Sequence, residues 1–141
     1  MNKVINMQPW LTLFQTTGAG ITADPTEVIQ PQESWVDTQG YELAVLTMDI
    51  LGLTGTDVSL DLEGCDDLGG SWKALYSYTV ATSPNTPEHV ELLSEAGPDA
   101  AYRLTRWLRW RINNSNTNDW QMTFRMNLLL KDDEFGNHGG A

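Results

Sequence analysis

Three carboxylates lie close together in a glycine-containing stretch, where their oxygens could bind a cation. Glu63, Asp66 and Asp67 belong to the stretch Glu-Gly-Cys-Asp-Asp-Leu-Gly-Gly at 63–70. Calcium takes such oxygen ligands from loops. The spacing does not match an EF-hand loop, the closing glutamate is missing, and glycine and aspartate are ordinary turn residues. The stretch therefore predicts a turn and no cofactor, with calcium bound by these three carboxylates as the alternative.

A cluster of arginines suggests a second kind of chemistry, the binding of carboxylates. Four of the five arginines fall within nine residues, in the run from Tyr102 to Ile112, whereas the rest of the chain is acidic. A period of two divides this run into an apolar and a cationic face, as in a half-buried β-strand. The apolar face is interrupted by Arg106, which must reach a carboxylate, a rim or a bulge. The cationic face carries Arg103, Thr105, Trp107, Arg109 and Arg111.

Two interpretations of the cationic face stay open. It can pair with an acidic strand of the same chain, on which Asp57, Asp61 and Glu63 face outward. It can instead contact a partner, because arginine is enriched at interfaces and pairs bidentately with carboxylates. The candidate interface residues are Arg103, Trp107, Arg109, Arg111 and Trp35.

The six tryptophans divide between core and surface. Trp10, Trp72, Trp110 and Trp120 lie on apolar faces and are predicted to be buried. Trp35 and Trp107 are the candidates for exposure, where an indole can stack on a sugar or anchor an interface.

The other residue types that support catalysis or metal binding do not form motifs. His89 and His138 are far apart in sequence, and Cys65 is the only cysteine. No zinc spacing, nucleophile elbow or phosphate loop is present in the sequence. We expect no disulfide and no enzymatic activity.

Charge and hydropathy limit the partners. The formal net charge of −11 disfavours nucleic acid and anionic membranes, which attract positive charge. No run approaches the length of a membrane span, and the N-terminus has no apolar stretch typical of a signal peptide. We expect no nucleic-acid or membrane partner.

The elements that would position these residues are strands. The run from Tyr41 to Leu51 predicts a central strand, with a helix as the alternative because Glu, Leu, Ala and Met favour helix. The turn at 52–55 predicts a hairpin to the alternating strand at 56–63. In that second strand Val58, Leu60 and Leu62 face inward. The last strand, at 120–131, places Trp120, Met122, Phe124, Met126, Leu128 and Leu130 on one face.

About eight short strands with regular turn signals predict an all-β chain, a single-domain antiparallel β-sandwich of jelly-roll type. Residues 1–40 form an N-terminal strand and an arm-like segment of that domain, with an edge position near Pro25 and Pro31. Residues 41–131 form the sandwich core, and 132–141 form a polar, flexible tail.

Three segments carry a resemblance to known families: Val58 to Asp67, Gly70 to Leu75, and Arg106 to Ile112. A strand ending in an acidic loop, a tryptophan strand and an aromatic-Arg-aromatic strand resemble small jelly-roll head decoration (cement) proteins of tailed phages. The same layout resembles discoidin-like carbohydrate-binding modules. The resemblance spans about residues 41–131.

The phage resemblance implies a non-enzymatic structural protein of the virion, made in the host cytoplasm. Its expected partners are the major capsid protein or other assembly subunits, and copies of itself in a dimer or trimer. The alternative implies an extracellular carbohydrate-binding module.

Overall fold

The fold is a sandwich of two antiparallel sheets. The computed structural model describes residues 2–15, 27–54, 58–79, 88–93, 103–114 and 119–132. The only helical element in these ranges is one 3-10 turn, Gln32–Ser34. The strands are β1 Lys3–Gln15, β2 Glu27–Ile29, β3 Val36–Asp37, β4 Leu43–Thr54, β5 Val58–Cys65, β6 Lys73–Thr79, β7 Glu88–Leu93, β8 Trp107–Asn114 and β9 Trp120–Lys131.

The strand order is that of a jelly roll. Sheet A has the order β1-β9-β4-β7, and sheet B has the order β2-β8-β5-β6, with β3 also paired to β8. The strand pairs are nested, like one long antiparallel hairpin folded over on itself. From the outside inward, β1 pairs with β9, β2 and β3 pair with β8, β4 pairs with β7, and β5 pairs with β6. This arrangement confirms the predicted β-sandwich and its jelly-roll type.

The predicted hairpin at 52–55 is wrong. β4 continues to Thr54 and belongs to sheet A, whereas β5 belongs to sheet B. Both sides of β4 are already occupied, by β9 and β7, so β5 has no free edge of β4 to pair with. The chain therefore crosses between the sheets here, while β4 takes the predicted central position.

The core lies between the facing sides of the two sheets. Trp110 on β8 meets Phe124 on β9 edge to face, with ring centroids 5.1 Å apart. All six predicted inward residues of β9 are buried, and so are Val58, Leu60 and Leu62 of β5. The period-two pattern of these strands thus predicted their buried faces correctly.

The cationic run is only partly a strand. β8 begins at Trp107, whereas Arg106 lies at a bend before it. The Thr105 hydroxyl donates to the carbonyl of Trp107, and the Thr105 carbonyl accepts the Thr38 hydroxyl at 2.6 Å. Thr105 is therefore held by hydrogen bonds that involve side chains, and it lies before the first residue of β8. Arg106 reaches the carboxylate of Asp37 at 3.4 Å, as its place on the apolar face required.

Candidate functional site

The outer face of sheet B holds a compact cluster around Arg109. Glu63 lies directly opposite Arg109 on the neighbouring strand, and Nε of Arg109 donates to Oε1 of Glu63 at 2.9 Å. Only 12% and 6% of these two side chains are exposed. The guanidinium carbon of Arg109 lies 4.0 Å from the ring centroid of Trp72 and 5.1 Å from that of Trp35. Cation–π contacts therefore accompany the ion pair.

The two tryptophans of this cluster also contact each other. Their ring centroids are 4.8 Å apart in an edge arrangement, and the indole N–H of Trp35 donates to the carbonyl of Gln30 at 2.7 Å. Trp35 is half-buried, not freely exposed as expected, and Trp72 packs on Arg109 outside the core. Both indoles cover the Arg109–Glu63 pair.

Arg111 extends this network to the edge of sheet B. Its guanidinium forms ion pairs with Glu27 on β2 and, at 3.5 Å, with Glu63 on β5. Asp61 lies opposite Arg111 in the strand register and is 7% exposed. Oδ1 of Asp61 and Nε of Arg111 are buried without a hydrogen-bond partner.

The first interpretation of the cationic face is therefore confirmed for Arg109, Arg111 and Glu63, since β5 and β8 are neighbours. Asp61 and Glu63 lie on the outer face of sheet B, as alternation predicts, but both are buried there. Asp57 lies outside the described residues.

The remaining cations of the run form more exposed pairs. Arg103 donates to Oδ2 of Asp66 at 2.7 Å, with 30% and 57% of the two side chains exposed. The hydrogen bond from Arg103 lowers the pKa of Asp66. Partial burial acts in the opposite direction, and the hydrogen bond from the backbone N–H of Arg106 lowers the pKa further. Trp107 is half-buried under Arg106, whose guanidinium lies 5.4 Å from its ring centroid.

The structure does not gather the three calcium candidates. Glu63 binds Arg109, Asp66 binds Arg103, and Oδ1 of Asp67 accepts the N–H of Gly69 at 3.0 Å. The N–H of Gly70 closes the turn onto the carbonyl of Asp67 at 2.7 Å. Within the described ranges, no three His, Cys, Asp or Glu side chains are grouped as a metal site. Arginines bind Glu63 and Asp66, and a backbone N–H binds Asp67, so the three carboxylates have different partners.

Cys65 and His89 lie in different sheets, Cys65 on β5 of sheet B and His89 on β7 of sheet A. Cys65 is 4% exposed at the end of β5, and burial is the main cause that raises the pKa of its thiol. His89 lies on β7, where its Nδ1 is 3.2 Å from the hydroxyl of Thr47. The thiol of Cys65 is thus buried, and the His89 ring contacts a neighbouring strand of the same sheet.

A second surface, the outer face of sheet A, was missed by the sequence analysis. Among the described residues, seven large apolar side chains are exposed, and five of them lie on strands of this sheet. The register places them beside outward residues of β9 and β4: Val4 opposite Leu129, Phe14 opposite Gln121, Leu51 opposite Thr123, and Leu93 opposite Leu43. Their exposed fractions are Val4 75%, Phe14 67%, Leu51 49%, Leu93 47% and Trp10 45%.

The prediction that Trp10 is buried in the core is wrong. The indole of Trp10 lies on this outer face, 4.9 Å from the guanidinium of Arg125. Arg125 in turn pairs with Asp49 at 2.5 Å. The signal was available in the sequence: from Trp10 to Phe14, apolar residues occupy both faces of one strand. In a sandwich of two sheets, one face of each strand has no second sheet to cover it.

This outer face is also electrically neutral. Its described outward residues include two acids, Asp49 and Glu91, and two bases, Arg125 and Lys131, which sum to zero. The whole chain carries −11. A negatively charged molecule, including a second copy of this chain, therefore meets no net like charge on the described strands of this face.

Comparisons with known proteins name no relative. No protein-family model and no curated protein sequence matches the chain. Among the described residues, no helix has the length and apolar character needed to cross a membrane.

Proposed function

We propose that this chain is a non-enzymatic structural protein that attaches to a larger assembly, as a decoration protein on a phage capsid. One observation carries the attachment: the outer face of sheet A exposes five large apolar side chains on a neutral surface. Several large apolar side chains exposed on one face of a domain favour a protein interface. The capsid as the partner rests on the resemblance of the sequence to small jelly-roll decoration proteins.

The contact surface in this proposal differs from the one expected from the sequence. The arginines of β8 were the candidate interface, but Arg109 and Arg111 form ion pairs with carboxylates of the same chain. Arginine side chains already paired and half-buried offer fewer free donors to a partner. The apolar residues on sheet A have no described cover. We therefore place the contact with the major capsid protein on sheet A.

The carbohydrate-binding alternative depends on exposed tryptophan faces. Trp35 is occupied by Trp72 and Arg109, and Trp107 by Arg106. A glycan would have to displace these contacts before it could stack. The geometry therefore favours the assembly role over a module of the discoidin-like type.

Co-sedimentation tests the proposal. The chain, co-expressed with the major capsid protein encoded near it, should migrate with assembled capsids in a density gradient. A gene that lies apart from virion genes, or a chain that stays at the top of the gradient beside intact capsids, would contradict the capsid role. Retention on a glycan array without capsid binding would favour the alternative.

Self-association belongs to the same proposal, with a dimer or trimer as the expected state. Light scattering at micromolar concentration should give two or three times the chain mass of 15.7 kDa. A mass of one chain, unchanged by concentration, would contradict self-association of the free protein.

A further inference from the structure

A cavity opens along one side of the sandwich, at the seam between β1 and β2. β1 is the edge of sheet A and β2 is the edge of sheet B, and the two strands are not paired with each other. The space between them has a volume of about 590 Å³. This size lies within the range of small-molecule sites, about 300–1,000 Å³.

The lining of this cavity is uncharged and contains both apolar side chains and polar groups. Ile5, Leu11, Leu13 and Val28 are half-buried there, and Trp110 lies at its floor. No described lining residue carries a charge, although the chain as a whole carries −11. Transfer of a charged group into such a lining without a partner is costly. The cavity therefore selects an uncharged occupant.

The polar groups beside the cavity are already bonded within the chain. The buried amide of Gln30 donates to the carbonyls of Met7 and Ser34 and accepts the N–H of Trp110. The indole N–H of Trp110 donates to Oε1 of Gln8 at 3.0 Å. These bonds fix both walls and the floor, so an apolar molecule can enter without leaving those groups unpaired.

An added peptide strand does not fit this edge. The register of β1 is interrupted twice, between Ile5 and Gln8 and between Gln8 and Leu11, directly beside the cavity. Pro9 has no N–H, and the carbonyl of Met7 already accepts Gln30. Bulges and proline are features that prevent an edge strand from pairing with another chain. The occupant must bind through its apolar surface.

We propose that the seam between β1 and β2 binds an uncharged, elongated apolar molecule of the class of a long-chain alcohol. The lining follows β1 from Ile5 to Leu13, a length of about 25 Å along an extended strand. Exposed Asn6 and Ser34 at the rim supply neutral hydrogen-bonding groups for a hydroxyl end. This site is on a different part of the molecule from the outer face of sheet A and does not depend on its function.

A neutral fluorescent probe tests the site on the full chain. N-phenyl-1-naphthylamine should increase in fluorescence when it binds, and 1-dodecanol should displace it. Dodecanoate has the same chain length and a charged end, so it should compete at least about tenfold more weakly. If dodecanoate competes as well as the alcohol, or if the probe does not bind, the proposal is wrong.

Two variants that fill the cavity locate the binding. Val28→Phe and Leu11→Trp should each weaken probe binding by about tenfold or more, because they occupy the space of the ligand. Leu51→Phe, on the outer face of sheet A, is the matched control and should bind normally. Loss of binding in the control alone would move the site to that face and overturn the proposal.

An NMR measurement on the unmodified protein avoids any failure of the variants to fold. Addition of 1-dodecanol should shift the indole N–H signal of Trp110 in a nitrogen–proton spectrum, while that of Trp10 on the outer face of sheet A stays unchanged. A shift at Trp10 without one at Trp110 would contradict binding at the seam.

Discussion

Arg109 and Glu63 lie opposite each other on β8 and β5, and they form an ion pair that is almost fully buried under two tryptophans. The pair lies on the outer face of a sheet, a position usually open to water. It is covered because the indoles of Trp35 and Trp72 lie against the guanidinium. The cationic strand is thus stabilised by its own chain before any partner binds.

Removal of one charge of this pair should be costly. Glu63→Gln keeps the shape of the side chain but leaves the buried guanidinium of Arg109 without its carboxylate. The free energy of unfolding should fall by about 3 kcal/mol, as for other broken buried pairs. Asp66→Asn breaks the exposed pair with Arg103 and should cost less than about 1 kcal/mol. Urea denaturation measures both, and equal small losses would show that the Glu63–Arg109 pair is solvated.

Truncation of the core face of β8 should also destabilise the chain. Leu108 is fully buried, so Leu108→Ala should cost about 2–5 kcal/mol through lost burial and a cavity. Leu51→Ala, at a position 49% exposed, should change stability by no more than about 0.5 kcal/mol. Thermal or chemical unfolding compares the two. A cost at Leu51 as large as that at Leu108 would mean that the faces are assigned wrongly.

Gly64 is required by a close approach within sheet B. A Cβ at this position would lie 2.1 Å from Oγ1 of Thr105 and 2.7 Å from Cδ1 of Leu75. Gly64→Ala should therefore lower the free energy of unfolding by about 1–3 kcal/mol through overpacking. At Gly69 the nearest atom to an added Cβ is 3.6 Å away, so Gly69→Ala is the matched control. Unchanged stability in Gly64→Ala would contradict the close packing of residue 105.

The pair of Asp66 and Arg103 should be visible in a pH titration. The Arg103 hydrogen bond lowers the pKa of Asp66 in the folded state below its unfolded value. A carboxyl with a lowered pKa contributes stability above its unfolded pKa, near pH 4, and loses it as the pH falls through the folded pKa. Carbon NMR of the carboxyl should show the low pKa, and Arg103→Ala should return it toward the ordinary value. An unchanged titration in that variant would place the cause elsewhere.

The strand faces could be predicted from the sequence because they depend on local alternation. In β9, every second residue from Trp120 to Leu130 is apolar, and all of these are buried. The same rule identified the inward residues of β5 and of β8. Burial of these faces needs no knowledge of which strands are neighbours.

The partners of each strand could not be predicted in the same way. The turn at 52–55 has the composition of a hairpin. Because β9 and β7 pair with the two edges of β4, β5 cannot pair with β4 and lies in the other sheet. Glu63 and Arg109 are separated by 46 residues, so their contact depends on the jelly-roll register. Alternation places Asp61 and Glu63 on the outer face, but it cannot show that arginines and tryptophans will cover them. The exposure of Trp10 likewise follows from its place on the outer face of sheet A, which alternation alone does not distinguish from the inner face.

The central claim, that the outer face of sheet A attaches the chain to an assembly, is tested most directly by co-sedimentation of charged variants with capsids. Phe14→Asp and Leu51→Asp place a carboxylate in the exposed apolar face, whereas Leu68→Asp makes the same change at an exposed leucine in the loop after β5. All three should fold, as circular dichroism can verify. Capsid binding should fall at least about tenfold in the two face variants and persist in Leu68→Asp. Capsid binding by Phe14→Asp and Leu51→Asp at the level of the unmodified chain would contradict that claim.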